Sequence, residues 1–313
     1  MNTGVSKALR SASPTTPRSW PTPSAALEIL KPLTWFAPMW ALACGVVGTG
    51  APILENWRVI LGAILLAGPL VCGTSQAAND WFDREVDAIN EPHRAIPSGR
   101  VPGRWGLAIA VIWTALSLLV AAALGTWVLI AAVFGLALAW AYSAPPFRLK
   151  RNGWFGNSAV GLCYEGLPWF TGAAALAEVR PGFPVIAMAL LYSVGAFGIM
   201  ILNDFKSVEG DRQLGLSSLP VQLGVDNSVR LACFIMGLPQ VVVLALLIDW
   251  GRPVHGAIVG ALLLLQIVCM VRLVRRPLER AAWYNATGTT LYVLGMMAAA
   301  IALRSLPLLE VHP

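Results

Sequence analysis

At 313 residues, with 57% hydrophobic and only 12% charged side chains, the chain lies outside the usual composition of soluble domains. Its formal net charge of +6 is not gathered into a basic domain. That excludes nucleic acid as a partner and leaves two uses for the excess cations, attraction to anionic headgroups and a topology signal.

Residues 1–32 are rich in Ser, Pro and Thr, carry Lys7, Arg10 and Arg18, and lack an apolar core, so the expectation is a disordered cytoplasmic tail followed by a transmembrane domain over 33–313. The first apolar stretch starts too late and runs too long for a cleavable signal peptide. It reads as a retained helix. About nine stretches can cross roughly 30 Å of hydrocarbon at about 1.5 Å per helical residue. They are Leu33 to Ile53, Trp57 to Ala78, Trp105 to Leu124, Trp127 to Ser143, Phe155 to Leu176, Pro184 to Leu202, Val229 to Asp249, Val254 to Leu273 and Asn285 to Leu303. The predicted fold is all-α and polytopic, with these helices around a central cavity.

All but four of the 22 Lys and Arg fall in the tail or in alternate loops, against Arg58, Arg180, Arg252 and Arg304 on the opposite face. Cations near helix ends resist translocation, which places the N-terminus in the cytoplasm and the C-terminus in the periplasm. Cys44, Cys72, Cys163, Cys233 and Cys269 all lie inside apolar spans without Cys-x-x-Cys spacing and read as small core residues.

Compared with itself, the chain repeats a motif. Asn79-Asp80-Trp81-Phe82-Asp83-Arg84-Glu85-Val86-Asp87 follows the second span, and Asn203-Asp204-Phe205-Lys206-Ser207-Val208-Glu209-Gly210-Asp211 follows the sixth. The cation pattern puts both on the cytoplasmic side. Asp80, Asp83 and Asp87 stand at i, i+3 and i+7, which gathers three carboxylates on one stripe of a continuing helix beside Asn79. Such a cluster near hydrocarbon calls for a cation, and hard oxygen donors without His or Cys point to Mg²⁺. In the second motif Asp204 and Asp211 share a face only if the helix survives Gly210, and Ser207 stands where the first motif has Asp83. Two facing clusters suit a metal-bridged diphosphate, while a single solvated loop paired with Arg84, Lys206 and Arg212 is the plainer reading of either alone. Candidate diphosphate contacts are Arg94 and Lys206 first, with Arg148, Lys150 and Arg151 equally readable as a positive-inside anchor.

These motifs, with Tyr142-Ser143-Ala144-Pro145-Pro146 and Arg148 to Arg151, resemble the UbiA superfamily of membrane prenyltransferases across nearly the whole chain after the tail. The longer runs Asp87-Ala88-Ile89-Asn90-Glu91-Pro92, Ile96-Pro97-Ser98-Gly99 and Asn203 to Arg212 are similar to its chlorophyll and bacteriochlorophyll synthase branch. Tyr164-Glu165-Gly166-Leu167-Pro168-Trp169 and Ser218-Leu219-Pro220-Val221 are similar to the bacteriochlorophyll side of that branch. The resemblance implies Mg²⁺-dependent transfer of a geranylgeranyl or phytyl group from its diphosphate to the propionate of bacteriochlorophyllide or chlorophyllide. It further implies an inner or intracytoplasmic photosynthetic membrane, and pigment-synthesis or antenna proteins as partners. Asn79, Asp80, Asp83, Asp87, Asp204 and Asp211 would carry metal and diphosphate, and Asn203 stands at the head of the second motif. Many superfamily members have Asp at the position of Ser207, so the second motif is the weaker ligand set.

Glu165, about eleven residues into the fifth span, reads either as a contact to the tetrapyrrole or as a hydrogen-bonding link between helices. Trp81, Phe82, Trp169 and Phe170 are expected to flank an apolar chamber that excludes water. His93 is a candidate ligand to the tetrapyrrole Mg²⁺, although a lone loop histidine is far more often a surface residue. Two other functions stay open on sequence alone. One is prenyl transfer to a quinone precursor or haem. The other is divalent-cation or solute transport, which intramembrane repeats also suit.

Overall fold

A computed structural model describes residues 19–177, 180–304 and 306. Among them the regular structure is helical. Short α1 (Pro23–Leu30) and α2 (Phe36–Gly48) lead into α3, which runs unbroken over Trp57–Asn90. Then come α4 (Trp105–Leu124) and α5 (Thr126–Ser143), joined by Gly125 alone at φ +124°, where glycine meets no Cβ penalty. The next helix, α6, is built from Gly153–Gly161, a π-helical turn Leu162–Gly166 and Leu167–Ala177. Long α7 (Phe183–Asn203), short α8 (Val208–Gln213) and α9 (Leu219–Leu223), and long α10 (Val225–Asp249), α11 (Pro253–Arg275) and α12 (Pro277–Leu303) complete the chain.

Eight helical stretches among the described residues are long and apolar enough to cross a membrane. They coincide with eight of the nine predicted spans. The other, predicted as Phe155 to Leu176, is α6, which is helical at the expected place but diluted by Asn157, Tyr164, Glu165 and Pro168. Leu238, Val241, Leu264, Leu265 and Val268 on α10 and α11 are exposed, as a hydrocarbon-facing surface requires.

The tail expectation needs correcting for Pro23–Leu30. Thr22 caps α1 by accepting from the Ala25 amide at 3.2 Å, and Pro23 starts the helix. Ala25, Ile29 and Leu30 then pack on Ala77, Ala78 and Ile109. Eight residues with a narrow apolar stripe gain stability by docking on α3, a tertiary effect that composition does not reveal. Residues 1–18 of the expected tail lie outside the described residues.

Two features of the bundle position the site. Pro69 lies inside a π-helical stretch of α3 (Leu66–Cys72), where a proline lacks the N–H and crowds the preceding turn. The second π turn, in α6, carries Tyr164 and Glu165, and the Tyr164 hydroxyl accepts from Gln76 Nε2 at 3.0 Å, tying α6 to α3. Around that turn the packing uses glycines. A Cβ on Gly172 would collide with the Leu42 carbonyl, one on Gly45 with the Trp169 carbonyl, and one on Gly161 would sit 2.6 Å from the Ser193 carbonyl. Helices α2, α6 and α7 therefore meet backbone to backbone, as helices in lipid do when small residues line their contacts.

Candidate active site

Because α3 continues through Asn90, Asn79, Asp80, Asp83 and Asp87 project from one rigid helix. Each carboxylate has its own cation. Lys31 Nζ donates to Asp80 Oδ1 at 2.6 Å, and Arg94 Nη1 donates to Asp87 Oδ2 at 3.0 Å while standing 3.8 Å from Asp80. Lys150 Nζ reaches both oxygens of Asp83, at 2.5 and 2.6 Å. Asp80, Asp83 and Asp87 thus lie on one continuing helix as expected, while among the described residues no three His, Cys, Asp or Glu side chains converge on a single point. Mutual repulsion and desolvation make paired cations the stable arrangement of this helix end. Burial pulls the Lys150 ammonium below the ordinary lysine range, and the Asp83 carboxylate offsets part of that.

The second motif breaks its helix. Asp204–Lys206 form a 3₁₀ turn, Ser207 leaves helical geometry at φ −121°, and α8 then runs through Gly210. The break falls at Ser207, not at Gly210, yet Asp204 and Asp211 stay together. Ser207 Oγ stands 3.2 Å from the Asp204 carbonyl and 3.1 Å from Asp211 Oδ2, its single proton shared between these two acceptors, and Asn157 Nδ2 donates to Asp204 Oδ2 at 3.2 Å. The serine in place of an aspartate thus holds the two acids in register. An extended link, Ser217 N to Arg151 O and Gly153 N to Ser217 O, both at 2.8 Å, fastens the basic loop after α5 to the segment behind this motif.

The two motifs converge. Asp83, Asp87, Asp204 and Asp211 line one cavity of about 330 Å³, together with Tyr142, Arg148, Lys150, Arg151 and Ser207. Tyr142, Asp204 and Ser207 also border a larger chamber of about 580 Å³ that includes Gln76, Asn79, Tyr164, Asn203 and Lys206. Beyond it, sharing Phe36, Tyr164, Met200 and Asn203, lies a third cavity of about 370 Å³ with Trp40, Glu165, Ile199, Asn285 and Thr289 on its wall. An acidic mouth, a mixed middle chamber and a mainly apolar inner chamber thus form one series.

Several expectations change rank here. Asp80 borders none of the three cavities and is turned to Lys31. Arg94, expected at the diphosphate, is instead engaged with Asp87, Asp80 and Glu91, whereas Arg148 and Arg151 face the acidic mouth. Lys206 borders the middle chamber as expected. Trp81, Phe82, Trp169 and Phe170 line none of the three cavities. Trp169 is a core residue stacked on Tyr192, and Phe82 packs edge-on against Trp140. The flanking aromatics are Phe36, Trp40, Tyr142 and Tyr164. His93 is exposed, with its backbone carbonyl bound by Arg100, and stands apart from all three cavities. Lys31, Asn157, Asn285 and Thr289 were missed. Lys31 had counted as topology alone, and the others are single polar residues in apolar spans, a signal of the same kind as Glu165.

The donor set fits a hard divalent cation. Four carboxylates and the Ser207 hydroxyl border one cavity, and Asn79 commits its amide nitrogen to Ser143 Oγ at 3.3 Å, not its oxygen. Residues 34–293 match the UbiA prenyltransferase family. The chain belongs to that family. It is 57% identical over 293 residues to the bacteriochlorophyll synthase 33 kDa chain of Cereibacter sphaeroides, covering 94% of this chain and 97% of that one. It is 36% identical to the chloroplastic chlorophyll synthase of Oryza sativa subsp. japonica, over 88% of this chain and 76% of the relative. Among solved structures, a UbiA homologue from Archaeoglobus fulgidus bound to GPP and Mg²⁺ superimposes with a TM-score of 0.68 at 20% identity, over 90% of this chain and all of that one. Family membership makes the chain a membrane prenyltransferase and displaces the transporter reading.

The ion pairs differ in worth. Asp80 is 8% exposed and its partner Lys31 28%, whereas Arg212 and Glu209 are 62% and 69% exposed. Lys31→Ala is expected to lower stability by about 1–3 kcal/mol, because it strips a buried carboxylate of its nearest cation. Arg212→Ala should cost under about 0.5 kcal/mol. Thermal unfolding in detergent measures both, and equal shifts would contradict the assignment.

Proposed function

We propose that the chain transfers a geranylgeranyl or phytyl group from its diphosphate to the propionate of a bacteriochlorophyllide, forming bacteriochlorophyll. The observation that carries the proposal is the convergence of Asp83 and Asp87 with Asp204 and Asp211, from segments far apart in sequence, on one cavity bordered by Arg148, Lys150 and Arg151. Carboxylates facing cations across a small volume suit a metal-bound diphosphate. The adjoining chambers offer room for an isoprenoid and a flat acceptor. The greater likeness to bacteriochlorophyll synthases than to a chlorophyll synthase supports the choice of acceptor.

Asp83, Asp87, Asp204 and Asp211, with Asn79, would hold Mg²⁺, and Asp80 would join them once Lys31 yields. Bound there, the ion would supply Lewis-acid stabilisation of charge on the diphosphate. Arg148 and Arg151 bind the diphosphate oxygens, and Lys150 adds to them when Asp83 turns to the metal. Lys206 contributes from the middle chamber. As the allylic carbon–oxygen bond breaks, its electron pair leaves with the diphosphate. A propionate oxygen then forms the new bond to that carbon. A propionate with a pKa of about 4 to 5 is already ionised at neutral pH, so the reaction needs no general base. Phe36, Leu138, Tyr142 and Val160 of the middle chamber keep water from the carbocation-like fragment.

Purified protein supplied with labelled prenyl diphosphate and bacteriochlorophyllide should form the ester only with added divalent metal, fastest with Mg²⁺, and chlorophyllide should compete poorly. Asp87→Asn and Asp204→Asn should each lower kcat by about 10²–10³ while the helical fold persists. Wild-type rates in both variants, or preferred transfer to a quinone precursor or haem, would refute the proposal. In the same reading the N-terminus lies in the cytoplasm and the C-terminus in the periplasm of an inner or intracytoplasmic photosynthetic membrane. A reporter active only in the periplasm should work fused to the C-terminus and stay silent at the N-terminus. The reverse pattern would overturn the orientation.

A further inference from the structure

Three buried oxygens lack hydrogen-bond partners and border the same inner cavity: Glu165 Oε2, Asn285 Oδ1 and Thr289 Oγ1. Buried polar groups are rarely left unmatched, so three on one wall mark the place of a polar partner. They come from two helices brought together by the bundle. Glu165, 5% exposed, stands on the π turn of α6, and Asn285 and Thr289 are one turn apart on α12.

The chemistry of the missing partner follows from what these atoms are able to do. An amide oxygen only accepts, whereas a threonine hydroxyl both accepts and donates, and a carboxyl oxygen accepts when it carries no proton. Asn285 has its nitrogen committed to Asn203 Oδ1 at 2.8 Å, so its oxygen is the part left over. The partner that meets the Asn285 oxygen is therefore a proton donor or a cation, neither another carbonyl nor a hydrocarbon, and the Glu165 and Thr289 oxygens are able to meet the same partner. A prenyl tail seated here would leave all three oxygens unmatched.

We infer that Glu165, Asn285 and Thr289 anchor the tetrapyrrole acceptor by its metal centre, offering oxygens to the open axial position of the macrocycle's Mg²⁺ or to water bound there. The inference rests on the acceptor proposed above. Four ring nitrogens leave a Mg²⁺ short of its octahedral set, and hard oxygens complete it. Asn203 fixes the register. It borders the inner and middle chambers, holds Asn285, and precedes Asp204 in the chain. A macrocycle held by its metal at this wall turns its propionate edge toward the chamber bordered by Asn79 and Asp204.

The test titrates wild type, Glu165→Leu, Asn285→Leu, Thr289→Val and Glu165→Gln with two probes, bacteriochlorophyllide and the same macrocycle with its Mg²⁺ replaced by two protons. Binding is followed by tetrapyrrole absorption, which reports axial coordination, and the KM for prenyl diphosphate is measured alongside. Wild type should bind the Mg²⁺ form on the order of tenfold more tightly than the metal-free form. Both leucine variants should erase that preference by weakening the Mg²⁺ form alone, without moving the KM for prenyl diphosphate, and Glu165→Gln should retain part of it. If the leucine variants fail to fold, Thr289→Val and Glu165→Gln, which preserve shape, decide the matter by a smaller loss confined to the Mg²⁺ form. Equal losses on both macrocycles, no change, or a shift only in the KM for prenyl diphosphate would overturn the inference. A wild type that binds neither macrocycle instead defeats the acceptor reading itself.

Discussion

Carboxylates crowded at the edge of an apolar medium repel one another and lose hydration, so they persist only where cations are brought to them. Here the cations come from separate parts of the chain. Lys31 arrives from the turn after α1, Arg94 from the loop after α3, and Lys150 from the loop before α6. The acidic end of α3 thereby ties three connecting segments to itself. The docking of α1 on α3 brings Lys31 to Asp80, and the link between Arg151 and Ser217 carries the basic loop toward both motifs. In the proposed function, electrostatic necessity and substrate recognition use the same groups. In the proposed reaction the carboxylates would hold a divalent cation, and the Lys and Arg side chains they now pair with would be free to meet an anionic diphosphate.

The three chambers divide the remaining tasks. The mouth holds opposite charges within a small volume and can accept a charged leaving group. The middle chamber mixes amides and hydroxyls, Gln76, Asn79, Tyr142, Tyr164 and Asn203, around the place where the proposed reaction makes its bond. The inner chamber is apolar apart from one polar wall. This gradient depends on the close approach of α2, α6 and α7 at Gly45, Gly161 and Gly172, since side chains there would separate the helices that enclose it.

Much of this was legible in the sequence because the bilayer imposes simple rules. Spans of about 20 apolar residues mark helices whatever their neighbours do, and the predicted Trp105 to Leu124 coincides with α4. The paired motifs were legible because acids are costly near hydrocarbon. What escaped depends on tertiary contact. Nothing in a Ser- and Pro-rich stretch distinguishes α1 from coil until α3 is there to receive it. Arg94 and Arg148 look alike as letters, yet the first is consumed by Asp87 and Glu91 while the second reaches the cavity. Helical spacing placed Asp80 with Asp83 and Asp87, but the position of Lys31 turns it aside. Asn157, Asn285 and Thr289 belong to no motif, and only the cavities they border, the acidic mouth for the first and the inner chamber for the other two, bring them into view.

The central claim is that both acidic segments grip one metal-bound diphosphate. The most direct measurement replaces Mg²⁺ with Mn²⁺ in the presence of a non-hydrolysable prenyl diphosphate analogue and locates the ion by anomalous scattering. The account predicts Mn²⁺ within ligand distance of carboxylates from both Asp83–Asp87 and Asp204–Asp211, with the diphosphate between them. Metal bound by one segment alone, with the diphosphate elsewhere, would contradict it.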